Sequence, residues 1–193
     1  MFTGIIETTG SLSEINNEAG NLHLTIQSNI SQELKIDQSV SHNGICLTVV
    51  KVNGQTHTVT AIAETIARTD IAAWQVGHII NLERCMPANG RFDGHIVQGH
   101  VDTVALCKTI EETNGSWLFT FTYTGKHITV EKGSITVNGI SLTVVNSQAQ
   151  QFSVAIIPYT FANTNLHALK TNGIVNLEFD IVGKYMQRIM ELR

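Results

Sequence analysis

The stretch NGICLTVV, from Asn43, recurs as NGISLTVV, from Asn138, and the one change puts a thiol, Cys46, where the second copy has a hydroxyl, Ser141. A cysteine in an apolar stretch is either a small packing residue or a proton donor and nucleophile. Residue type alone leaves both readings of Cys46 open. A second contrast sets His100, in VQGHVDT, against Ile5, in FTGIIET. An imidazole titrates near neutrality, so a histidine at a position that is apolar in the other copy is a candidate general acid or base, with a structural histidine as the alternative. A third contrast sets Glu64 against Tyr159, and here the plain alternative is a solvated turn residue. Like frameworks with unlike reactive groups suggest two copies that do different chemistry.

The remaining chemistry-bearing residues narrow the field. Cys85 and Cys107 show no such contrast and read as small packing residues. Three cysteines without C-x-x-C spacing suggest neither a disulfide framework nor a zinc site, and free thiols fit a reducing cell interior. The eight histidines lack H-x-H and H-x-x-x-H spacing, so no metal is expected. His95 is not placed on a common strand face with His100, and His23, His42, His57, His78, His127 and His167 read as solvated surface residues. A Walker A loop, a dinucleotide fingerprint, a nucleophile elbow and H-E-x-x-H are all absent. A net charge of −4 with scattered basic residues gives no footprint for nucleic acid or an anionic membrane. No apolar run is long enough to cross a bilayer, and MFTGIIETTG lacks the features of a leader, so the expected compartment is the cytoplasm. The expected partner is a small molecule or another copy of the chain.

The elements that must position these residues follow from the same repeat. At a constant offset of 95 residues, Gly4 falls on Gly99, Thr8 on Thr103, Ile15 on Ile110, Gly20 on Gly115, Thr25 on Thr120, Val59 on Val154, Thr65 on Thr160 and Thr69 on Thr164. NLE at Asn81 falls on NLE at Asn176. Two copies spanning a full half-chain mean paired domains rather than a solenoid. RCMPANGRFDGHI, residues 84–96, reads as the connection, giving units 1–92 and 93–182. Within each half NLHLTIQ, CLTVVKV, HTVTAIA and HIINLE are short, β-branched and bounded by turn residues, and VNGQ is a hairpin signal. Roughly six strands per half predict an all-β protein of two small antiparallel barrels. ETIARTDIAAW adds a helical turn or two. Ile181, Tyr185, Ile189 and Leu192 recur at helical spacing and predict a C-terminal amphipathic α-helix over 183–193, its stripe packed on its own barrel or in an oligomer.

MFTGII, NGICLTVV, FDGHIVQGHVD, KGSITVNGISLTVV and the duplication together resemble the riboflavin synthase alpha chain family over essentially the whole sequence. The resemblance implies two six-stranded Greek-key barrels, a C-terminal helix and a homotrimer assembled through the helices. It implies a dismutation in which two molecules of 6,7-dimethyl-8-ribityllumazine exchange a four-carbon unit, giving riboflavin and 5-amino-6-ribitylaminouracil without cofactor or metal. It also raises lumazine synthase as a partner. Carried over position by position, the N-barrel pocket would use Gly4, Ile5, Ile6, Ser39, Cys46, Thr48, Ala61, Ile62, Glu64 and Thr65. The C-barrel pocket would use Gly99, His100, Val101, Lys132, Ser141, Thr143, Ile156, Ile157 and Thr160. Cys46, His100, Ser39 and Asp180 would be the catalytic positions, with Cys46 and His100 meeting only across a subunit interface. Asn138 stands where some members have Asp.

A dismutation between identical molecules needs one donor and one acceptor, so similar pockets with unlike reactive groups suit it. The alternative from the same resemblance is a lumazine antenna protein, which binds lumazine or flavin and catalyses nothing. In a pure binder the reactive residues would be free to drift, so Cys46, Ser39 and His100 favour the enzyme. A duplicated barrel acting only as an interaction module is the third and blandest reading.

Overall fold

The computed structural model describes residues 1–192. The first half forms β1 (Thr8–Glu18), β2 (Asn21–Gln27), β3 (Ser39–His42), β4 (Ile45–Asn53), β5 (Thr56–Ala61) and β6 (Ile79–Arg84). The second forms β7 (Thr103–Thr113), β8 (Ser116–Tyr123), β9 (Ser134–Val137), β10 (Ile140–Gln148), β11 (Gln151–Ile156) and β12 (Ile174–Phe179). Each set closes into an antiparallel barrel, in the order β1-β2-β5-β4-β3-β6 and, equivalently, β7-β8-β11-β10-β9-β12. The predicted pair of six-stranded barrels is therefore present, and closure leaves neither barrel with a free sheet edge. Alternation sets the inner faces, as in β5, where His57, Val59 and Ala61 are buried between half-buried threonines. The β3–β4 and β9–β10 hairpins turn on Asn43-Gly44 and Asn138-Gly139, all four residues with positive φ, the two-residue turn that matches strand twist.

The two cores have diverged. The C-barrel is filled by aromatics, with Phe121 and Phe152 at a ring-centroid distance of 5.6 Å, and Tyr123 edge-on to Phe179 at 5.2 Å. The N-barrel has an aliphatic core built on Leu24, Ile26, Val40, Val49, Val59, Ile80 and Leu82. The expectation that His42 and His57 are solvated is wrong: both are fully buried. They stand where the C-barrel has Val137 and Phe152, so they occupy core positions of the fold. Burial is tolerated because a chain of hydrogen bonds satisfies both rings. The Val40 carbonyl can only accept, so His42 Nδ1–H donates to it at 3.1 Å, and His42 Nε2 accepts from His57 Nε2–H at 2.8 Å. Ser31 Oγ then donates to His57 Nδ1 at 2.8 Å, with Ser28 Oγ a further 2.8 Å away. Both rings are neutral. Burial, then the neighbouring His57 charge, pushes His42 down to about 3, and burial pushes His57 down to about 4.

The barrels dock through a buried amide network with approximate twofold symmetry. The Asn43 side-chain carbonyl accepts from Asn81 N–H at 2.7 Å, and Asn138 from Asn176 N–H at 2.8 Å. Asn81 Nδ2 then donates across to the Asn138 main-chain carbonyl at 2.9 Å, and Asn176 Nδ2 to that of Asn43 at 3.0 Å. Asn138 thus has an interface role. The symmetry breaks at one pair of positions. Asn165 N–H donates to Asn81 Oδ1 and Asp70 N–H to Asn176 Oδ1, but one side chain is an amide and the other a carboxyl that burial pushes up to about 6.

Short helices α1 (Ala63–Arg68) and α2 (Pro158–Asn163) bridge β5 to β6 and β11 to β12, each followed by a 3-10 turn, as the polar stretch ETIARTDIAAW predicted. The last helix, α3 (Ile181–Glu191), starts two residues before the expected position, capped by Asp180 accepting from Val182 N–H at 2.9 Å. Of its predicted apolar stripe Ile181 is half-buried, while Tyr185, Ile189 and Leu192 are each more than half exposed. Among the described residues no helix is long and apolar enough to cross a membrane.

The buried histidines make the N-barrel acid-labile. Their folded-state values lie below the unfolded value of about 6.5, so the unfolded chain binds the extra protons between about 6.5 and about 4, and stability falls as pH falls through that window. Urea midpoints measured from pH 7.5 to 4.5 should drop in the native chain, and the double variant His42→Val, His57→Phe, which copies the C-barrel, should drop distinctly less.

Candidate active site

The thiol and the hydroxyl that distinguish the two copies stand at the start of equivalent strands, Cys46 on β4 and Ser141 on β10, and a strap from the other half of the chain lies on top of each. Cys46 N–H donates to the Gly99 carbonyl at 2.8 Å, and Ser141 N–H donates to the Gly4 carbonyl at 2.8 Å. The straps cross where Phe2 and Val97, themselves equivalent positions, exchange main-chain hydrogen bonds of 2.8 and 3.1 Å. Both residues are fully buried.

This crossing corrects the expected grouping. Gly4, Ile5 and Ile6 do not belong with Cys46. Gly4 covers Ser141 and Ile6 packs on the C-barrel core, while Gly99 covers Cys46 and Val101 packs on the N-barrel core. His100 accordingly lines the same cleft of about 240 Å³ as Cys46, Glu64, Thr65 and Arg68, within one chain and not only across a subunit interface. The physical reason is contact between the straps at Phe2 and Val97, which leaves each strap no path except onto the neighbouring barrel.

Two buried carboxylates fix the straps. Glu83, on β6, accepts from Thr3 N–H at 2.7 Å, Thr3 Oγ1 at 2.9 Å and Gly4 N–H at 3.0 Å. Glu178, on β12, accepts from the main-chain N–H groups of Gln98, Gly99 and His100 at 2.7, 2.9 and 2.8 Å. Burial pushes both carboxyls up, and the strap hydrogen bonds work against that shift. Each barrel thus grips the root of a strap and lays its tip on the other barrel.

The half-sites differ chemically. In the N-barrel, burial pushes the Cys46 thiol up while the nearby Ser39 hydroxyl pulls it down. Burial therefore favours the protonated thiol over the thiolate. Ser39 pairs in register with Thr48, at the rim. In the C-barrel, Ser141 Oγ lies 2.7 Å from His95 Nδ1, and His95 Nε2 lies 3.2 Å from Thr136 Oγ1. Thr143 is exposed on β10, Thr160 is half-buried on α2, and Ile62 and Ile157 are exposed at the starts of α1 and α2. Ala61 and Ile156 are fully buried and face the barrel cores. Lys132 is exposed, in a turn with φ +66°. Asp180 caps α3, and its charge acts on His95.

Sequence reasoning missed His95, Arg68, Glu83 and Glu178. His95 has no metal-ligand spacing and was not placed on a strand face with His100, so nothing in its spacing marked it. The two glutamates were in view, as the last letter of NLE in both copies, but served there only as a marker of duplication.

A family model described as lumazine binding domain matches twice, over residues 3–85 and 98–180. Those two matches, one per barrel, set the class: a duplicated lumazine-binding barrel protein. "Riboflavin synthase" of Actinobacillus pleuropneumoniae is 41% identical, with 98% of this chain and 90% of that protein covered. Those of Bacillus subtilis (38%; 98% and 90%) and Mycobacterium tuberculosis (39%; 98% and 98%) are similar over the same extent. The chain belongs to the riboflavin synthase family. Among solved structures, LumP complexed with 6,7-dimethyl-8-(1'-D-ribityl) lumazine aligns with a TM-score of 0.84 at 22% identity, covering 93% of this chain and 99% of that one. LumP complexed with riboflavin aligns with 0.84 at 23%, covering 92% and 98%. These two likenesses show the fold.

Gly99 has φ +80°, and a Cβ there would sit 2.6 Å from Cys46 Cβ. Gly99→Ala should therefore lift the strap, adding to a backbone cost of about 1–2 kcal/mol. In a Cys85→Ser background, thiol-reagent labelling of Cys46 should speed up at least tenfold. Gly20→Ala, with φ +84° but no atom near its Cβ, should show only the backbone cost.

Proposed function

We propose that the chain converts two molecules of 6,7-dimethyl-8-ribityllumazine into riboflavin and 5-amino-6-ribitylaminouracil, one lumazine giving a four-carbon unit to the other. The observation that carries this reading is the pair of like half-sites with unlike reactive groups, a thiol under one strap and a hydroxyl with an imidazole under the other. Full-length identity of 34–41% to riboflavin synthases supports it. The N-barrel would hold one lumazine between Ser39, Cys46, Thr48, Glu64, Thr65 and the Gly99–Val101 strap. The C-barrel would hold the other between Lys132, Ser141, Thr143, Thr160 and the Gly4–Ile6 strap.

Holding two ring systems in register turns a bimolecular step into a unimolecular one, which contributes about 7–11 kcal/mol. Proton transfer from the lumazine C7 methyl by a positioned group adds about 10²–10⁴-fold. We infer that the reacting rings meet where the N-barrel of one protomer faces the C-barrel of the next in a homotrimer. The exposed apolar face of α3 supports this, since Val182 and Met186 share one cleft with Ile128 and Val130 and such a patch favours burial. Three free thiols suit a reducing cytoplasm. A lumazine- or flavin-binding protein without activity is the second reading, favoured only by the fold shared with LumP.

Purified protein, with chelator and no added cofactor, should form one riboflavin for every two lumazines. Lumazine binding without riboflavin would assign the chain to the binders. Deleting residues 183–193 should reduce the solution mass from three chains to one and lower activity more than tenfold; a truncated chain that stays trimeric would place the seam in the barrels.

A further inference from the structure

The two straps end alike and are anchored unlike. Glu7 follows the Gly4–Ile6 strap, and Asp102, at the equivalent position, follows Gly99–Val101. Glu7 N–H donates to the Leu82 carbonyl at 3.0 Å, and Asp102 N–H to that of Leu177 at 2.8 Å. Each carboxylate then accepts from a main-chain N–H two residues further along the same strand, Arg84 at 2.8 Å and Phe179 at 2.9 Å. The equivalence stops at the cation. Arg84 turns its own guanidinium back onto Glu7, with Nε and Nη2 each 2.8 Å from Oε2, so the first strap is closed within the barrel that grips it. Phe179 stands where that arginine would be, its ring buried in the C-barrel core with no charge to offer. The cation comes instead from α3: Lys184 Nζ lies 3.0 Å from both Asp102 oxygens, and the two side chains are only 17% and 15% exposed.

We propose that Lys184 is a positioning residue for the Cys46 half-site: by holding Asp102 from α3 it keeps the Gly99–Val101 strap seated on Cys46, so that this half-site, unlike that of Ser141, depends on how α3 is docked. The bearing of this on turnover rests on the activity proposed above. Two acids fix the strap, and Lys184 serves both. It bonds Asp102, and its charge favours the ionised form of Glu178, which the main-chain N–H groups of Gln98, Gly99 and His100 need as acceptor. Removing an ammonium from so dry a place leaves buried acids uncompensated, which is far more disruptive than breaking an exposed pair. Lys126 and Glu191, 2.8 Å apart at the far end of α3, are the exposed case. Asn89, equivalent to Lys184, lies in the connection between the barrels, and the Ser141 half-site therefore has no matching tie to a helix.

Labelling of Cys46 by a thiol reagent, in a Cys85→Ser background, reads the strap directly. Lys184→Met should speed labelling about 2–30-fold at unchanged solution mass, and should raise by a similar factor the riboflavin concentration that half-protects Cys46. Lys184→Arg, which keeps the charge, should restore both readings. Asp102→Asn still accepts from Phe179 N–H and should behave as Lys184→Met does, while the double variant should label no faster than the faster single one. Lys126→Met should label at the native rate. A loss of overall stability alone would lower the urea midpoint and move neither reading. The proposal is overturned if Lys184→Met or Asp102→Asn labels at the native rate in a chain of native mass, if their effects multiply, or if Lys126→Met speeds labelling as much. A native chain that makes no riboflavin would sink the activity reading instead, a result distinct from all of these.

Discussion

Everything about the two half-sites depends on two carboxylates that sit where carboxylates are expensive. Glu83 and Glu178 are almost fully buried, and each is held there by three hydrogen bonds from a strap. Hydrogen bonds to a charged acceptor are worth about twice those to a neutral one. The same bonds satisfy strap N–H groups that a loop buried between barrels would otherwise leave orphaned. That grip holds in place the straps that cross at Phe2 and Val97, and without the crossing Cys46 loses Gly99 and His100 while Ser141 loses Gly4 and His95. The cost of burial and the geometry of the site are one bargain.

Much of the fold was legible because its signals are local. NLHLTIQ runs over the residues of β2, the stripe through Ile181 and Tyr185 marks α3, and the constant offset of 95 places equivalent strands in both barrels. The straps were illegible for a physical reason. A repeat says which residues are equivalent, not which copy of a neighbour they touch, and segments that exchange places leave the alignment unchanged. Grouping Gly4 with Cys46 followed from sequence order; the contact at Phe2 and Val97 reverses it. The buried histidines were missed for a related reason. His42 and His57 lie on inward-facing strand positions, which alternation does mark, but a residue type that is usually solvated hid the pattern until Ser28 and Ser31 were seen to satisfy them.

The two barrels share topology while their interiors solve packing differently. Phe152 and Val137 fill the C-barrel by volume, whereas His57 and His42 fill the N-barrel by hydrogen bonding along one direction. A polar core of this kind specifies its arrangement closely, since one misplaced donor leaves a buried group unpaired. That rigidity lies beneath β3 and β4, the strands that present Ser39 and Cys46 to the cleft.

Asp70 and Asn165 show what joining two barrels in one polypeptide makes available. An interface between identical subunits must present the same side chain from both sides of its axis, so every substitution there is made twice at once. Here a buried carboxyl can appear on one side and an amide on the other, because positions 70 and 165 are encoded separately. Within one chain the two equivalent surfaces need not carry the same residues. Once mutation acts on one side at a time, an assembly can acquire polarity, a left and a right, while its frame remains nearly twofold.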